Sequence, residues 1–299
     1  MPQWYSDHRP LKTAPLTFLC CDSPYPESRT VILGCPLDLT ASFRPGCRFA
    51  PNAIREASWN LESFSPALER DLEDLCVADI GDLPLSSDPQ KALTEVQQAV
   101  EGILSDGKVP VILGGEHLLS LGSIRAFRDL YPEVRVLQID AHADFRDEYL
   151  GASLSHATVM RRVSEELGPG RVFQVGVRSW DRKEREEARG TATFLGEDPP
   201  SDLPPEVLRG PLYVSLDLDV LDPSVCPGVG TPEPGGWSFK ELLGFLYGLP
   251  WERVIGVDMV ELAPPHDPSG TSAVVSAKVL REILLMLGEG CRDFSNRGK

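Results

Sequence analysis

The chain has 299 residues, 29 Lys and Arg against 45 Asp and Glu, a net charge of −16, and 41% hydrophobic and 7% aromatic residues. That composition is globular, with enough apolar material for one large or two ordinary domains. The acidic balance argues against a duplex-binding surface, which needs clustered Lys and Arg, so no nucleic-acid partner is expected; it does permit steering of metal ions or a cationic small substrate. No run approaches the ~18 apolar residues of a membrane span. Met1 to Pro24 lacks the basic start and apolar stretch of a secretory signal. Seven cysteines at positions 20, 21, 35, 47, 76, 226 and 291, without a C-x-x-C spacing, read as reduced thiols of a cytoplasmic protein.

In chain order, short apolar runs rich in β-branched residues predict eight strands: Thr30 to Leu33, Leu75 to Ile80, Val109 to Leu113, Val134 to Ile139, Val172 to Val175, Ala192 to Leu195, Leu212 to Leu218 and Val254 to Val257. Helical periodicity fills most of the intervals. It covers Pro51 to Glu62, Leu119 to Leu130, Ala157 to Leu167, Arg182 to Arg189, Ser238 to Leu249 and Ser272 to Leu287. The clearest helix follows Ser87-Asp88-Pro89, a cap residue and then proline at the first helical position, with Leu93, Val96, Val100, Ile103 and Leu104 in one stripe. Such alternation requires crossover connections. The expected architecture is a three-layer α/β/α sandwich around an eight-stranded, mostly parallel sheet, with ligands gathered at the carboxyl ends of strands. The proline-rich patches Pro199 to Pro205 and Pro223 to Pro234 are too short for interdomain linkers, so residues 1–299 are taken as a single domain.

Three strand ends carry chemistry. Val111-Ile112-Leu113-Gly114-Gly115-Glu116-His117 is a buried-type strand whose two glycines allow a sharp turn that delivers an imidazole to the sheet edge. In Gln138-Ile139-Asp140-Ala141-His142-Ala143-Asp144, three metal-competent side chains occupy alternate positions and in extended backbone share one face. Val214-Ser215-Leu216-Asp217-Leu218-Asp219-Val220 embeds two carboxylates, two residues apart, in an apolar strand; burying them side by side needs a neutralising cation. The blander alternatives are a capping Asp140, a hydrogen-bonded core His142 and an exposed edge strand with solvated acids. Taken together, the segments offer imidazole and hard carboxylate oxygen without cysteine. That donor set suits Mn²⁺, Fe²⁺, Co²⁺ or Zn²⁺, and its oxygen-heavy count tilts toward Mn²⁺. Four carboxylates exceed the need of one divalent ion and suit two.

These segments, with Gly34-Cys35-Pro36-Leu37-Asp38, Arg44-Pro45-Gly46, Asp222-Pro223 through Gly235-Gly236, Glu261-Leu262-Ala263-Pro264 and Thr271, resemble the signatures of the ureohydrolases, the arginase and agmatinase family. The resemblance covers most of the chain. It implies an arginase-like fold and two Mn²⁺ ions, one held by His117, Asp140, Asp144 and Asp217 and the other by Asp140, His142, Asp217 and Asp219, with Asp140 and Asp217 bridging. It further implies that His156, in Ser155-His156-Ala157-Thr158, shuttles a proton, that Glu261 binds the guanidinium, and that Asp144 orients the nucleophile. A homo-oligomer, trimeric or hexameric, is implied too. The Ser-Gly-Asn segment with which arginases grip the amino-acid end of their substrate is absent; Phe145 to Leu154 stands in its place. The stretch through Tyr149, Ser155-His156-Ala157 and Met160-Arg161-Arg162 looks agmatinase-like, so the expected reaction is agmatine to putrescine and urea, a step of polyamine biosynthesis. Asp147 or Glu148 could meet the substrate's amine. Two positions depart from the family pattern: Leu118 stands where serine is usual and could reshape the pocket floor, and His266 stands where tyrosine is common. The first leaves room for N1-aminopropylagmatine or a guanidino acid as substrate, with arginine less favoured. Cys47 and Cys226 read as small fillers. Two other classes stay open: a one-zinc deacetylase on the same scaffold, and a non-catalytic subunit, which would most simply show a broken ligand set.

Overall fold

The computed structural model describes residues 16–288; the opening of the Met1 to Pro24 segment, and Cys291, lie outside that range. Its elements in chain order are β1 (Thr30–Cys35), α1 (Ala50–Ser58), β2 (Phe64–Ser65), β3 (Arg70–Asp71), β4 (Val77–Asp82), α2 (Pro89–Ser105), β5 (Val109–Gly114), α3 (Leu119–Leu130), β6 (Arg135–Ile139), α4 (Val159–Leu167), β7 (Val172–Val175), α5 (Arg182–Ala188), β8 (Ala192–Phe194), β9 (Leu212–Asp217), α6 (Phe239–Tyr247), β10 (Val254–Val260) and α7 (Thr271–Leu287).

Each of the eight apolar runs becomes a strand of one sheet, ordered β4-β1-β5-β10-β9-β6-β7-β8. Every neighbouring pair in it is parallel. Such strands are buried on both faces, which is why they read as continuous apolar runs rather than alternating ones. Their residues nevertheless divide by parity. Ile32, Val111, Leu113, Leu137 and Val257 face one core together with Ile54 of α1, Leu242 of α6 and Leu280 of α7. Val31, Leu33, Ile112, Val136 and Tyr213 face a second core with Leu93 of α2, Phe127 of α3 and Val163 of α4. The sheet is therefore sandwiched between two helical layers, as expected.

Differences from the sequence reading are local. β10 runs on to Val260 because Asp258, a charged residue that ends an apolar pattern, is buried within the strand and hydrogen-bonded there by Tyr213 and Ser215. β9 stops at Asp217, whose side chain accepts the Asp219 N–H and starts a 3₁₀ turn over Leu218–Val220. The hairpin of β2 and β3 has strands of 2 residues each, too short to show a period. At α2, Asp88 caps the Lys91 N–H and Pro89 occupies the first turn. Cys20, Cys21, Cys35, Cys47 and Cys226 are free. Cys76 is disulfide-bonded, a correction to the all-thiol reading, which rested on the absence of a C-x-x-C spacing. Among the described residues, no helix is long and apolar enough to cross a membrane.

Candidate active site

Four adjacent strands, β5, β10, β9 and β6, deliver their carboxyl ends to one place. His117 follows β5, Glu261 follows β10, Asp217 ends β9 with Asp219 in the turn beyond it, and Asp140, His142 and Asp144 follow β6. A crossover fold leaves helices to start or end at this edge, so side chains just past each strand point into a shared crevice.

His117 is fully buried, and its Nδ1 lies 3.1 Å from Asp140 Oδ2, 3.0 Å from Asp144 Oδ2 and 3.4 Å from Asp217 Oδ2. None of the three meets it in hydrogen-bond geometry, so Nδ1 is a buried nitrogen without a partner. Its other nitrogen explains the direction. Nε2 lies 2.9 Å from Ser215 Oγ, and that hydroxyl donates its own proton to Asp258 Oδ1 at 2.7 Å. Ser215 can therefore only accept from the ring, which keeps a proton on Nε2. Burial opposes a second proton, but the three carboxylates override it and raise the imidazole well above its ordinary value. Nδ1 is thus protonated without a cation and offers its lone pair to one. On the other side of the cluster, His142 Nδ1 lies 2.8 Å from Asp219 Oδ2 and 3.7 Å from Asp140 Oδ1. Two groups with donor atoms within 4.8 Å of one another result: His117, Asp140 and Asp217, and Asp140, His142 and Asp219. Asp140 belongs to both. Asp217 belongs to the first, and its Oδ1 accepts the Asp219 N–H at 2.8 Å, which ties it to the second.

The electrostatics fit a missing positive charge. Burial, then the neighbouring Asp219 charge, pushes Asp140 up; burial and Asp140 push Asp144 up to about 7; burial, Asp219 and Asp140 raise Asp217 well above the ordinary carboxylate range. Burial alone would lower His142, yet Asp219 overrides it and raises the imidazole to about 11. Without a cation, acids this close must borrow protons to share the space. An orphaned buried imidazole nitrogen facing three carboxylate oxygens is thus a donor set suited to a divalent ion.

Two residues beside the cluster have left-handed backbone, Asp144 at φ 52° and Glu261 at φ 66°. Strain at such positions persists only where the surroundings hold it. Here the Asp144 carbonyl accepts the N–H groups of Met160 and Arg161, and the Glu261 N–H donates to the Gly115 carbonyl at 2.9 Å. The Glu261 carboxylate is fixed at both oxygens: Oε1 accepts the His117 N–H at 2.7 Å, and Oε2 accepts the Cys47 thiol at 3.3 Å. Burial pushes its carboxyl up to about 8. His156 opens a 3₁₀ turn capped by Ser155, and burial pushes its imidazole down to about 4.

A cavity of about 260 Å³ is walled by His142, Asp144, His156, Asp217, Asp219 and Glu261, with His117 and Asp140 buried beneath it. All eight residues singled out from the sequence are thereby brought together. Asp147 and Glu148 are not. Asp147 turns outward to Arg162 at 2.8 Å and Arg161 at 3.5 Å, and both acids line a neighbouring surface hollow that shares Arg146, Asp181 and Glu184 with the cavity wall. The acids on the outer wall of the cavity are Asp181 and Glu184, with Arg146, Tyr149 and Trp180 around them. Sequence reading passed over this pair because D-x-x-E before a helix is a complete signature of a capping box, which it also forms at α5. Leu118 is fully buried in the second core and takes no part in the cavity wall. His266 Nε2 meets the Pro45 carbonyl at 2.9 Å, tying down the Arg44-Pro45-Gly46 loop. Cys47, read as a filler, touches Glu261 directly.

Comparison with known proteins concerns the chain as a whole. The family model described as the arginase family matches residues 28–286. An agmatinase of Halalkalibacterium halodurans is 41% identical over 275 residues, 90% of this chain and 95% of the relative. A guanidinobutyrase of Pseudomonas aeruginosa is 34% identical over 271 residues, 85% of each. The crystal structure of the agmatine ureohydrolase of Thermoplasma volcanium superposes with a TM-score of 0.83 at 32% identity, covering 92% of this chain and 94% of that one. Matched by that family model over residues 28–286 and by such relatives over most of its length, the chain belongs to the arginase family.

Proposed function

We propose that the chain is an agmatinase, hydrolysing the guanidinium group of agmatine to putrescine and urea with two Mn²⁺ ions. The observation that carries the reading is the convergence of the unpartnered His117 Nδ1, three carboxylate oxygens and the fixed Glu261 on one cavity. His117, Asp140, Asp144 and Asp217 would hold one ion, and Asp140, His142, Asp217 and Asp219 the other. Bound there, divalent ions lower the pKa of water and so make a nucleophile available at neutral pH.

The chain's own residues do the rest. Glu261 presents a carboxylate whose two oxygens are pinned by His117 and Cys47, and a planar cationic guanidinium is oriented against it by charge-assisted hydrogen bonds. Asp144, held in its strained conformation at the cavity wall, orients the attacking water. The tetrahedral centre then loses its C–N bond to the alkyl chain, and the departing nitrogen takes up a proton that His156 is placed to move.

Tail charge separates agmatine from other guanidino compounds. The outer wall carries two acids, Asp181 and Glu184, and one base, Arg146, whose guanidinium is already engaged by Asp181 at 2.7 Å and lies 3.8 Å from Glu184. One negative charge is left over to meet a substrate's distal ammonium, whereas a guanidino acid would bring its carboxylate against two others. Protein reconstituted with Mn²⁺ should release urea from agmatine faster than from arginine or 4-guanidinobutyrate. Equal or reversed rates would overturn the substrate assignment.

A further inference from the structure

The segment that follows β1 crosses directly over the carboxyl end of β5. The Glu116 N–H donates to the Leu37 carbonyl at 2.8 Å, and a Cβ on Gly115 would lie 2.0 Å from that same oxygen, so only glycine permits the approach. Glu116 extends the contact. Its buried side chain accepts, on Oε2, the N–H groups of Leu39 at 3.1 Å and Thr40 at 2.8 Å. The segment so anchored ends against His156. The His156 N–H donates to Thr40 Oγ1 at 3.0 Å, and that hydroxyl oxygen is 3.3 Å from the ring Nδ1. Ser155 Oγ lies 3.3 Å from Nδ1 as well, and Ser42 Oγ lies 3.2 Å from Nε2 and shares the cavity wall with the ring. Both ring nitrogens thus face hydroxyl groups, while the edge-on ring of Tyr149, 5.8 Å away, closes the side.

We propose that Thr40 and Ser42, anchored through Glu116, are positioning residues that keep the His156 imidazole seated on the cavity wall whether or not it carries its second proton. A hydroxyl rotates to donate to a bare ring nitrogen and to accept from a protonated one. A carboxylate in the same place would instead hold the proton and raise its affinity. Thr40 Oγ1 accepts the His156 backbone N–H throughout, and its one proton has two acceptors within reach: it turns to Nδ1 when the ring nitrogen is bare and to the Glu116 carboxyl when the ring carries the proton. Glu116 neighbours His117, so the same short segment sets one candidate metal-ligating imidazole through its backbone and the proton-moving imidazole through its side chain. The inference rests on the role given to His156 under the proposed function.

The test uses the full-length protein and the variants Thr40→Val, Thr40→Ser and Ser42→Ala. With Mn²⁺ and agmatine, Thr40→Val should lower kcat by about ten-fold with KM within two-fold and metal content unchanged, Thr40→Ser should restore most of it, and Ser42→Ala should lower kcat by less. Nitrogen NMR of the metal-free protein, with the His156 signals assigned through His156→Asn, gives a readout independent of turnover: Thr40→Val should move the ring-nitrogen signals toward those of an imidazole exchanging freely with water. Unchanged kcat in Thr40→Val, or unchanged ring-nitrogen signals, overturns the inference. A wild-type protein that releases no urea from any guanidino compound, while the ring-nitrogen signals still respond to Thr40→Val, overturns the proposed function and leaves the clamp standing.

Discussion

Because Asp140 belongs to both donor groups and His142 to one, metal-linked stability should respond unequally to single substitutions. An ion that binds only the folded chain stabilises it by about 2.7 kcal/mol when present at a hundred times its dissociation constant. Unfolding entropy of roughly 2.1 cal/mol/K per residue, over 299 residues, amounts to about 0.6 kcal/mol/K. Each occupied site should then raise Tm by about 4–5 °C, and two sites by about 9 °C. The assay is thermal unfolding followed by circular dichroism, in chelator and across a Mn²⁺ titration, with each variant referred to its own metal-free baseline. The wild type should show the double shift. His142→Asn, which touches only the Asp140 and Asp219 group, should keep about half of it, and Asp140→Asn should lose nearly all. Equal shifts in the two variants, or none in the wild type with bound metal confirmed by elemental analysis, would refute the two-group arrangement with a shared carboxylate.

Other expectations concern the walls and supports of the site. Asp181→Asn keeps a competent helix cap while removing a charge, so it should raise KM for agmatine about three- to five-fold and narrow the preference over 4-guanidinobutyrate without moving Tm; steady-state urea release checks this. Cys47→Ala leaves Glu261 Oε2 short of a donor and should lower kcat/KM about five-fold, with Cys47→Ser retaining most of the activity; a kinetic comparison of the two decides. Ser215→Ala removes the acceptor that turns the His117 lone pair inward and should weaken metal affinity by about 10- to 100-fold, measured by competition with a chelating dye.

The sheet was legible because each parallel strand is buried on both faces and so writes itself as an unbroken apolar run. Where a buried strand carries a charge, the run breaks, which hid the last turn of β10 behind Asp258. Four of the five residues that form the two donor groups were visible for a local reason as well: Asp140 with His142 and Asp217 with Asp219 sit two positions apart where a buried apolar strand ends, and acids buried together need something to neutralise them. Contacts across the chain left no such trace. Cys47 and Glu261 are separated by 214 positions, and Thr40 and His156 by 116, so neither pairing has a periodic or spacing signature. The outer wall failed differently. Asp147, Glu148, Asp181 and Glu184 are alike as acids outside the apolar runs, and residue type alone does not say which of them face the cavity.

The left-handed backbone at Asp144 and Glu261 sets the chain's fitness under two kinds of selection against each other. Glycine or asparagine at Asp144 would relax the main chain and thin out the crowded acids of the metal-free protein, at the cost of a carboxylate that the metal-loaded protein uses. A laboratory screen for thermotolerance run in chelator should therefore harvest changes at the Asp144 codon and yield sturdy, inert proteins, whereas a screen that also demands urea release should leave both acids untouched.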